Sequence, residues 1–328
     1  MRRVVLRLVS VLVVLALVAG GCFVWGYAQF ARPGPLDAAV TLVIPKGTGL
    51  NAIAGQLHAA DVIAHPLVFQ LSARLTGADK ELKAGEFVFS RGMSIRDVID
   101  LLESGKTVVR RLTIVEGLST AEILDQLRTV DGLEGEITLE PPEGALLPET
   151  YHFSFGDTRD DVIQRMMEAM SDLVNELWRG RSQEVPLKTP EQAVVLASLV
   201  EKETGRPEER ARIAGVFVNR LRRGMPLQSD PTVVYALTGG REPLGRPLRR
   251  ADLKTESPYN TYHVKGLPPG PICNPGREAL AAAVRPLFSD DLYFVADGDG
   301  GHFFARTLDE HNRNVAKWRR IRDEERRN

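Results

Sequence analysis

The stretch Thr189-Pro-Glu-Gln-Ala-Val-Val-Leu-Ala-Ser-Leu-Val-Glu-Lys-Glu-Thr204 carries the clearest helix signal in the chain. A threonine cap, a proline at the first helical position and a glutamine three residues after the cap are typical of a helix start. Residues 194–200 are mostly apolar. We therefore predict a helix over Pro190–Thr204, buried along most of its length and ended by Gly205 in a left-handed conformation.

Glu201 stands in the last turn of this predicted helix. Helical spacing places it over Ala197 and Ser198, whose small side chains leave space above the backbone. Apolar surroundings favour the protonated form of a carboxyl group, which a general acid requires. The alternative is an exposed helix-end charge, which is how we interpret the neighbouring Lys202 and Glu203.

The segment after this helix combines a second predicted helix, from Pro207 to Gly224, with long stretches rich in proline, glycine and asparagine. Irregular segments inside a compact domain often carry binding groups. Flat aromatic rings, amides and carboxylates are the groups that bind sugars. Candidates of this kind are Gln228, Asp230, Glu256, Tyr259, Asn260 and Tyr262. The alternative is that both tyrosines are core aromatics and that Asn260 caps a turn.

Residues 41–150 show an internal repeat. A short β run, a glycine turn, a Ser/Thr cap and a helix are predicted over 41–57, and the same order returns over 108–124. We interpret this region as small βα modules. They serve either as spacers and scaffolding or as glycan-binding modules of the LysM type, and the pattern does not choose between these roles.

The N-terminus carries a run from Leu8 to Tyr27 without any charge, preceded by Arg2, Arg3 and Arg7. About 20 apolar residues suffice for a helix to cross the hydrocarbon core of a membrane. The arginines favour a cytoplasmic N-terminus, with the remainder of the chain outside. A cleaved signal peptide and a lipoprotein attached through Cys22 are the alternatives, but the sequence lacks an obvious cleavage or lipidation signal.

Composition excludes several classes of function. The net charge of the 328 residues is −1, which gives no general attraction to nucleic acid. Cys22 and Cys273 are the only cysteines, so we expect neither a disulfide framework nor a thiolate metal site. Asp297 to Gly301 is interpreted as a tight turn rather than a calcium loop. No nucleotide or metal motif is found, and we expect no metal and no cofactor.

Several sequence blocks together resemble the YceG-like family of endolytic murein transglycosylases. The blocks are Ala197–Thr204, Val218–Leu221, Gly224–Tyr235, Ser257–Tyr262, Gly266–Ile272, Asn274–Gly276, Leu292–Asp297 and Gly301–His302. The resemblance extends over nearly the whole chain, although the N-terminal modules match more loosely.

The resemblance implies a fold and a division of the chain. The expected class is α+β, with a transmembrane helix, LysM-like βα modules and a mixed α/β catalytic domain. The expected boundaries are a cytoplasmic N-terminus (1–7), a transmembrane helix (8–27), a linker (28–40), the modules (41–150) and the catalytic domain (151–328). The protein would then be a single-pass protein of the inner membrane with its catalytic domain on the outer side.

The resemblance also implies a reaction, with Glu201 as the acid and base that cuts the MurNAc–GlcNAc bond and leaves a 1,6-anhydro end. The substrate would be nascent peptidoglycan, whose elongation the cut would terminate, and peptidoglycan synthases are candidate partners. The implied substrate-binding groups are Gln228, Asp230, Glu256, Tyr259, Asn260, Tyr262 and Asn274. A hydrolytic muramidase that pairs Glu201 with Asp230 or Glu256, and a non-catalytic glycan-binding scaffold, are the alternatives.

Overall fold

A computed structural model describes Arg2–Glu325. Met1, at the start of the predicted cytoplasmic segment, and residues 326–328 lie outside the described residues. The described chain divides into two compact units. The first comprises Met1–Arg110 and His152–Asp157, and the second comprises Arg111–Tyr151 and Thr158–Asn328.

The first unit begins with one long apolar helix and continues as alternating short strands and helices. The elements are α1 (Arg2–Ala31), β1 (Val40–Ile44), α2 (Leu50–Ala59), α3 (Pro66–Thr76), β2 (Gly85–Phe89) and α4 (Ile95–Ser104). Strands β1 and β2 pair antiparallel, with Leu42 opposite Phe87. Ser94 caps α4, because its side chain accepts a hydrogen bond from the Asp97 backbone N–H.

Within α1, residues Leu6–Ala31 are long and apolar enough to cross a membrane. A signal sequence meets the same criteria of length and composition, so α1 is a candidate for either role. The core of the first unit is formed by the elements that follow α1 and includes Leu57, Phe69, Phe87 and Phe89, which are fully buried.

The second unit is mainly helical. Its strands and helices begin with β3 (Val109–Thr113), α5 (Thr120–Thr129), β4 (Leu133–Glu134), β5 (Thr150–Ser154), β6 (Asp157–Thr158) and α6 (Arg159–Arg179). They continue with α7 (Pro190–Glu203), α8 (Pro207–Arg222), α9 (Asp230–Thr238), α10 (Arg277–Val284), β7 (Tyr293–Ala296), β8 (His302–Ala305) and α11 (Leu308–Glu325). The boundaries between the units fall inside β3, β5 and β6.

Helix α7 is the centre of the second unit. Every residue from Ala193 to Val200 is buried, and α6, α8 and α10 pack around it. Thr189 caps the helix and Pro190 is its first residue, as predicted. The Gln192 side chain instead accepts from the Lys188 N–H, and Gly205 does not adopt the left-handed conformation, because Thr204 already leaves the helix in an extended conformation.

The structure has the predicted α+β class and the predicted repeat of strand, turn and helix. Both copies of the repeat use a glycine with φ near 80°, Gly47 after β1 and Gly117 after β3. The predicted turn at 297–301 joins β7 to β8, and Asp297 accepts from the N–H groups of Asp299 and Gly301. The LysM-like character of the modules stays a prediction.

The two units divide the chain differently from the predicted boundary at residue 150. The second copy of the repeat, from Arg111 onward, lies in the second unit with α7. A physical reason is visible at Leu118, whose carbonyl accepts from the backbone N–H of Asn274, and at Gly117, whose N–H donates to the Asn274 carbonyl. These backbone hydrogen bonds join the repeat to the loop before α10.

Candidate active site

Glu201 lies in the last turn of α7, and its side chain is only 5% exposed. Two donors hold its carboxylate. The backbone N–H of Gly276 donates to Oε2 at 2.8 Å, and Arg210 Nη2, from α8, donates to Oε1 at 3.1 Å. Because both bonds are made to a buried carboxylate, this residue is not the exposed helix-end charge of the alternative interpretation.

A second carboxylate shares the same guanidinium nitrogen. Arg210 Nη2 also donates to Glu116 Oε2 at 3.1 Å, and the Glu116 side chain is 39% exposed. Burial raises the pKa of Glu116, the negative charge of Glu201 raises it further, and the charge of Arg210 opposes both. We call Glu116 and Glu201 the carboxylate pair.

Glycine is required where the carboxylate pair meets the loop before α10. A Cβ atom on Gly276 would lie 1.9 Å from Glu116 Oε1, so only a residue without a side chain leaves the Glu116 carboxylate in place. Gly117, on the other side of the pair, has φ near 80° and lies against the Glu201 side chain. The pair is therefore enclosed by backbone from two loops.

We expect Gly276→Ala to displace the Glu116 carboxylate while the fold is kept, because φ at this residue is −79° and suits alanine. The added methyl group meets the free end of a side chain rather than backbone. If the pair acts as a unit in the glycan cleavage that the sequence resemblance implies, the rate of that cleavage should fall by up to about 10²-fold, the usual cost of a small misplacement in an active site. Cleavage rate and melting temperature are to be measured together; an unchanged rate would remove Glu116 from the site.

A cleft of about 390 Å³ opens beside the carboxylate pair. Its lining includes Gly117, which lies against the Glu201 side chain, Lys202, and Asp230 and Tyr235 from α9. Neither carboxylate of the pair is among the described residues that line it. The Lys202 side chain donates to the Gly117 carbonyl at 3.1 Å, and Lys202 is exposed as predicted. A cleft that offers a cation, a carboxylate and a tyrosine suits a polar, hydroxyl-rich ligand.

The predicted sugar-binding residues differ in how they are placed. Asp230 lines the cleft and accepts a hydrogen bond from the Tyr262 hydroxyl at 2.6 Å. The Tyr259 ring lies 4.8 Å from the ring of Tyr235 and packs partly against the core. The structure therefore brings Asp230, Tyr259 and Tyr262 to the cleft or to its immediate support.

Gln228 and Glu256 are exposed and are not among the described residues that line this cleft. The Gln228 side chain accepts from Arg220 Nη1 at 3.3 Å, and Gln228 itself has φ of 54°, an uncommon conformation for a residue other than glycine. Its contact with Arg220 connects it to the buried end of α8.

Asn260 and Asn274 are fully buried, and their amides bind the protein itself. Asn260 donates to the carbonyls of Leu253 and Thr255 and accepts from the Tyr262 N–H, which is the turn-capping alternative. Asn274 accepts from the Leu146 N–H and donates to the Glu143 carboxylate. Both amides hold loops together, and neither residue lines the cleft. We therefore do not include Asn260 and Asn274 among the residues proposed to contact the sugar.

Glu203 differs from its interpretation as an exposed helix-end charge. It is only partly exposed, and its carboxyl group accepts a hydrogen bond from the Ser229 hydroxyl. Burial raises the pKa of Glu203 to about 7, with a further contribution from the nearby charge of Asp230. Helix α7 therefore ends with two enclosed carboxyl groups that point to different neighbours.

We expect Glu203→Gln to stabilise the protein above neutral pH. The pKa of Glu203 is about 7 in the folded chain, whereas that of an ordinary glutamate, as in the unfolded chain, is 4.5. Folding stability must then fall as pH rises between these values, and the neutral variant avoids a loss of roughly 3 kcal/mol. Denaturant unfolding at pH 5 and pH 8 measures this, with the exposed Glu208→Gln as control; equal pH slopes in wild type and Glu203→Gln would contradict the expectation.

Sequence reasoning missed Glu116, Arg210 and Gly276. Glu116 and Arg210 lie 94 residues apart in the chain, and Glu201 and Gly276 lie 75 apart. The fold and the site together define an α+β enzyme with a cleft and a buried acidic centre.

Comparison with known proteins identifies the family to which the chain belongs. A sequence model of the YceG-like family matches residues 42–317, so the chain belongs to the YceG-like family. The family that the sequence blocks indicated is thus confirmed.

Three relatives extend the comparison. The chain is 33% identical to an endolytic murein transglycosylase of Bacillus subtilis, over 92% of this chain and 91% of that protein. It is 33% identical to an endolytic murein transglycosylase of Streptococcus pneumoniae, over 94% of this chain and 64% of that protein. A crystal structure of a YceG-like protein from Listeria monocytogenes is similar with a TM-score of 0.52 and 31% identity, covering 84% of this chain and 98% of that one.

Proposed function

We propose that this protein is an endolytic lytic transglycosylase that cuts the MurNAc–GlcNAc bond of peptidoglycan strands and leaves 1,6-anhydro-MurNAc ends. Membership of the YceG-like family and the names of its relatives support the substrate and the reaction. The observation that carries the assignment of the site is the buried Glu201 carboxylate, held by Arg210 and Gly276 beside the cleft.

In the proposed reaction, protonated Glu201 first donates its proton to the glycosidic oxygen as the bond from that oxygen to C1 of MurNAc breaks. The 6-hydroxyl of the same MurNAc attacks C1, and the Glu201 carboxylate takes the hydroxyl proton as the anhydro ring closes. The proton is returned and no water is consumed. One carboxyl group therefore suffices, whereas most glycosidases need two.

Arg210 and the Gly276 N–H stabilise the Glu201 carboxylate that exists between the two proton transfers. Glu116 accepts from the same guanidinium nitrogen, so Arg210 is shared between the two carboxyl groups. Burial and then the charge of Glu201 raise the pKa of Glu116, and we propose that Glu116 tunes the charge around Arg210 rather than transferring a proton itself.

We infer that Asp230 and Tyr235 bind the glycan, since these residues line the same cleft as Lys202. Tyr262 positions Asp230 through their hydrogen bond. Glu116 shares the Arg210 nitrogen with Glu201, whereas no hydrogen bond or ion pair among the described residues joins Asp230 or Glu256 to Glu201 or Arg210. This arrangement favours the transglycosylase over a muramidase that pairs Glu201 with Asp230 or Glu256.

We further propose that α1 anchors the chain in the inner membrane, with the residues that follow α1 on the outer side. The length and apolar character of Leu6–Ala31 support a membrane span, and the arginines at its start support this orientation. An anchored enzyme acts on strands close to the membrane, where glycan synthesis takes place. Cleavage there would terminate elongation of nascent strands.

The product experiment tests the proposed reaction. Purified glycan strands digested by the full-length protein should yield ends that are lighter by one water than reducing ends, as measured by mass spectrometry. Reducing ends alone would identify a muramidase. Binding of strands without any cleavage would identify a glycan-binding scaffold.

A further inference from the structure

Helix α3 exposes a row of leucines to solvent. Leu67, Leu71 and Leu75 follow one another at intervals of four residues, and they are 78%, 59% and 75% exposed. The opposite side of the helix is buried through Phe69 and Ala73. We call the three exposed residues the leucine stripe. An apolar row of this kind on a short helix marks a surface that is covered in the working protein.

The leucine stripe lies beside the last turns of α1. Together they form an apolar groove of about 380 Å³, with Phe23, Trp25 and Phe30 on the α1 side. The Trp25 ring lies 5.3 Å from the ring of His65, the residue that caps the N-terminus of α3. Both helices belong to the first unit, so the level of α3 along α1 is fixed by these contacts.

The position of this groove along α1 indicates which surroundings cover it. The uncharged run from Leu8 to Tyr27 has the length of a bilayer core, about 30 Å at 1.5 Å per residue. Phe23, Trp25 and Tyr27 form its outer end, where tryptophan and tyrosine are typical of the boundary between acyl chains and headgroups. A helix in contact with Trp25 must then lie at that same boundary.

We infer that α3 is an interfacial helix, which inserts the leucine stripe into the outer leaflet and rests the first unit on the membrane. The inference depends on the proposed anchoring by α1. The chemistry of α3 suits a lipid surface, because the helix contains no acidic residue and carries Arg74 next to the stripe. The membrane contact is then twofold, a span and a neighbouring helix packed against the outer end of that span.

Tryptophan fluorescence in vesicles tests the insertion. The full-length protein is reconstituted into phosphatidylcholine–phosphatidylglycerol vesicles with or without brominated acyl chains, which quench nearby indole rings. The emission added by Leu71→Trp should fall by at least about half in brominated vesicles, as expected for a residue at the acyl boundary. The matched control is Val109→Trp, an exposed position of the first unit outside the stripe, whose added emission should be unaffected.

Two outcomes separate this inference from the proposed anchor. Flotation of the protein with vesicles after alkaline carbonate washing tests α1 by itself, and loss of flotation overturns the anchor. Retained flotation with an unquenched residue 71, or with equal quenching at residues 71 and 109, overturns the interfacial helix alone. A stripe that is unquenched and forms photo-crosslinks to another protein would identify a protein partner instead.

The variant Leu67→Gln/Leu71→Gln/Leu75→Gln gives a second measurement that does not depend on an added indole. These positions are exposed, so the substitutions should leave the fold intact. In the same vesicles, hydrogen exchange of α3 should be slower in the wild type than in the variant. Equal exchange in the two proteins would contradict insertion.

Discussion

Replacing Glu201 by glutamine is expected to lower the rate of glycan cleavage by about 10²–10⁴-fold, the contribution usual for a general acid and base. Glutamine keeps the shape of the side chain, and its single carbonyl oxygen can accept from Arg210 or from Gly276 but not from both, since the carboxylate uses a different oxygen for each. It has no proton to give. The rate of release of anhydro ends is the measurement. Strand binding should be retained.

The matched control is Glu191→Gln, on the same helix and exposed. Its cleavage rate should equal that of the wild type. Unchanged cleavage by Glu201→Gln would remove Glu201 from its proposed role, and an equal loss in both variants would point to a general effect on α7.

Replacing Arg210 by methionine is expected to cost about 3 kcal/mol of folding stability, near the lower end for breaking a buried ion pair. The lower end applies because Glu116 is partly exposed and Glu201 keeps its bond from Gly276. The variant leaves the Glu201 carboxylate, at 5% exposure, without its cation. Denaturant unfolding at pH 7.5 measures the loss, and cleavage should be lost with it.

A double variant tests the cause. Adding Glu201→Gln to Arg210→Met removes the unpaired charge, so stability should recover by at least about 1 kcal/mol. The control is Arg222→Met, also on α8, whose ion pair with Glu184 is largely exposed and should contribute less than about 1 kcal/mol. No recovery in the double variant would show that Arg210 acts by packing rather than by charge.

Local sequence signals predicted the central helix well. The cap, the proline and the apolar run of α7 all act within a few residues of one another, and the structure places Pro190 and the buried residues as expected. Glu201 stood out as a candidate acid because its helix neighbours Ala197 and Ser198 are small and because residues 194–200 are mostly apolar. The end of the helix was predicted less well, since Thr204 rather than Gly205 breaks it.

The partners of Glu201 were not predictable in the same way. Glu116 and Gly276 come from distant loops, and their approach depends on packing between α7, α8 and the loop before α10. One signal was present in the repeat. When the two copies are aligned, Lys46 of the first corresponds to Glu116 of the second, and each precedes a glycine with φ near 80°. The second copy therefore keeps the turn but carries a negative charge where the first carries a positive one. A reversed charge on a preserved turn indicates a separate use for that turn.

Buried polar residues were the other difficulty. Asn260 and Asn274 have the side chains of sugar ligands, and only their burial shows that their amides are occupied by backbone partners. Glu203 was interpreted as solvated because it follows a lysine at a helix end, yet Ser229 reaches it from the start of α9. Such contacts are set by the fold and leave no local pattern.

The order in which the chain is made gives the arrangement around Arg210 a consequence for the timing of activity. Glu116 is synthesised early, Glu201 and Arg210 follow, and the Gly276 N–H comes last. On the proposed topology, a chain that crosses the membrane from its N-terminal end emerges before the Glu201 site is complete. We expect the proposed activity to be absent during export, until the loop that carries Gly276 has been delivered.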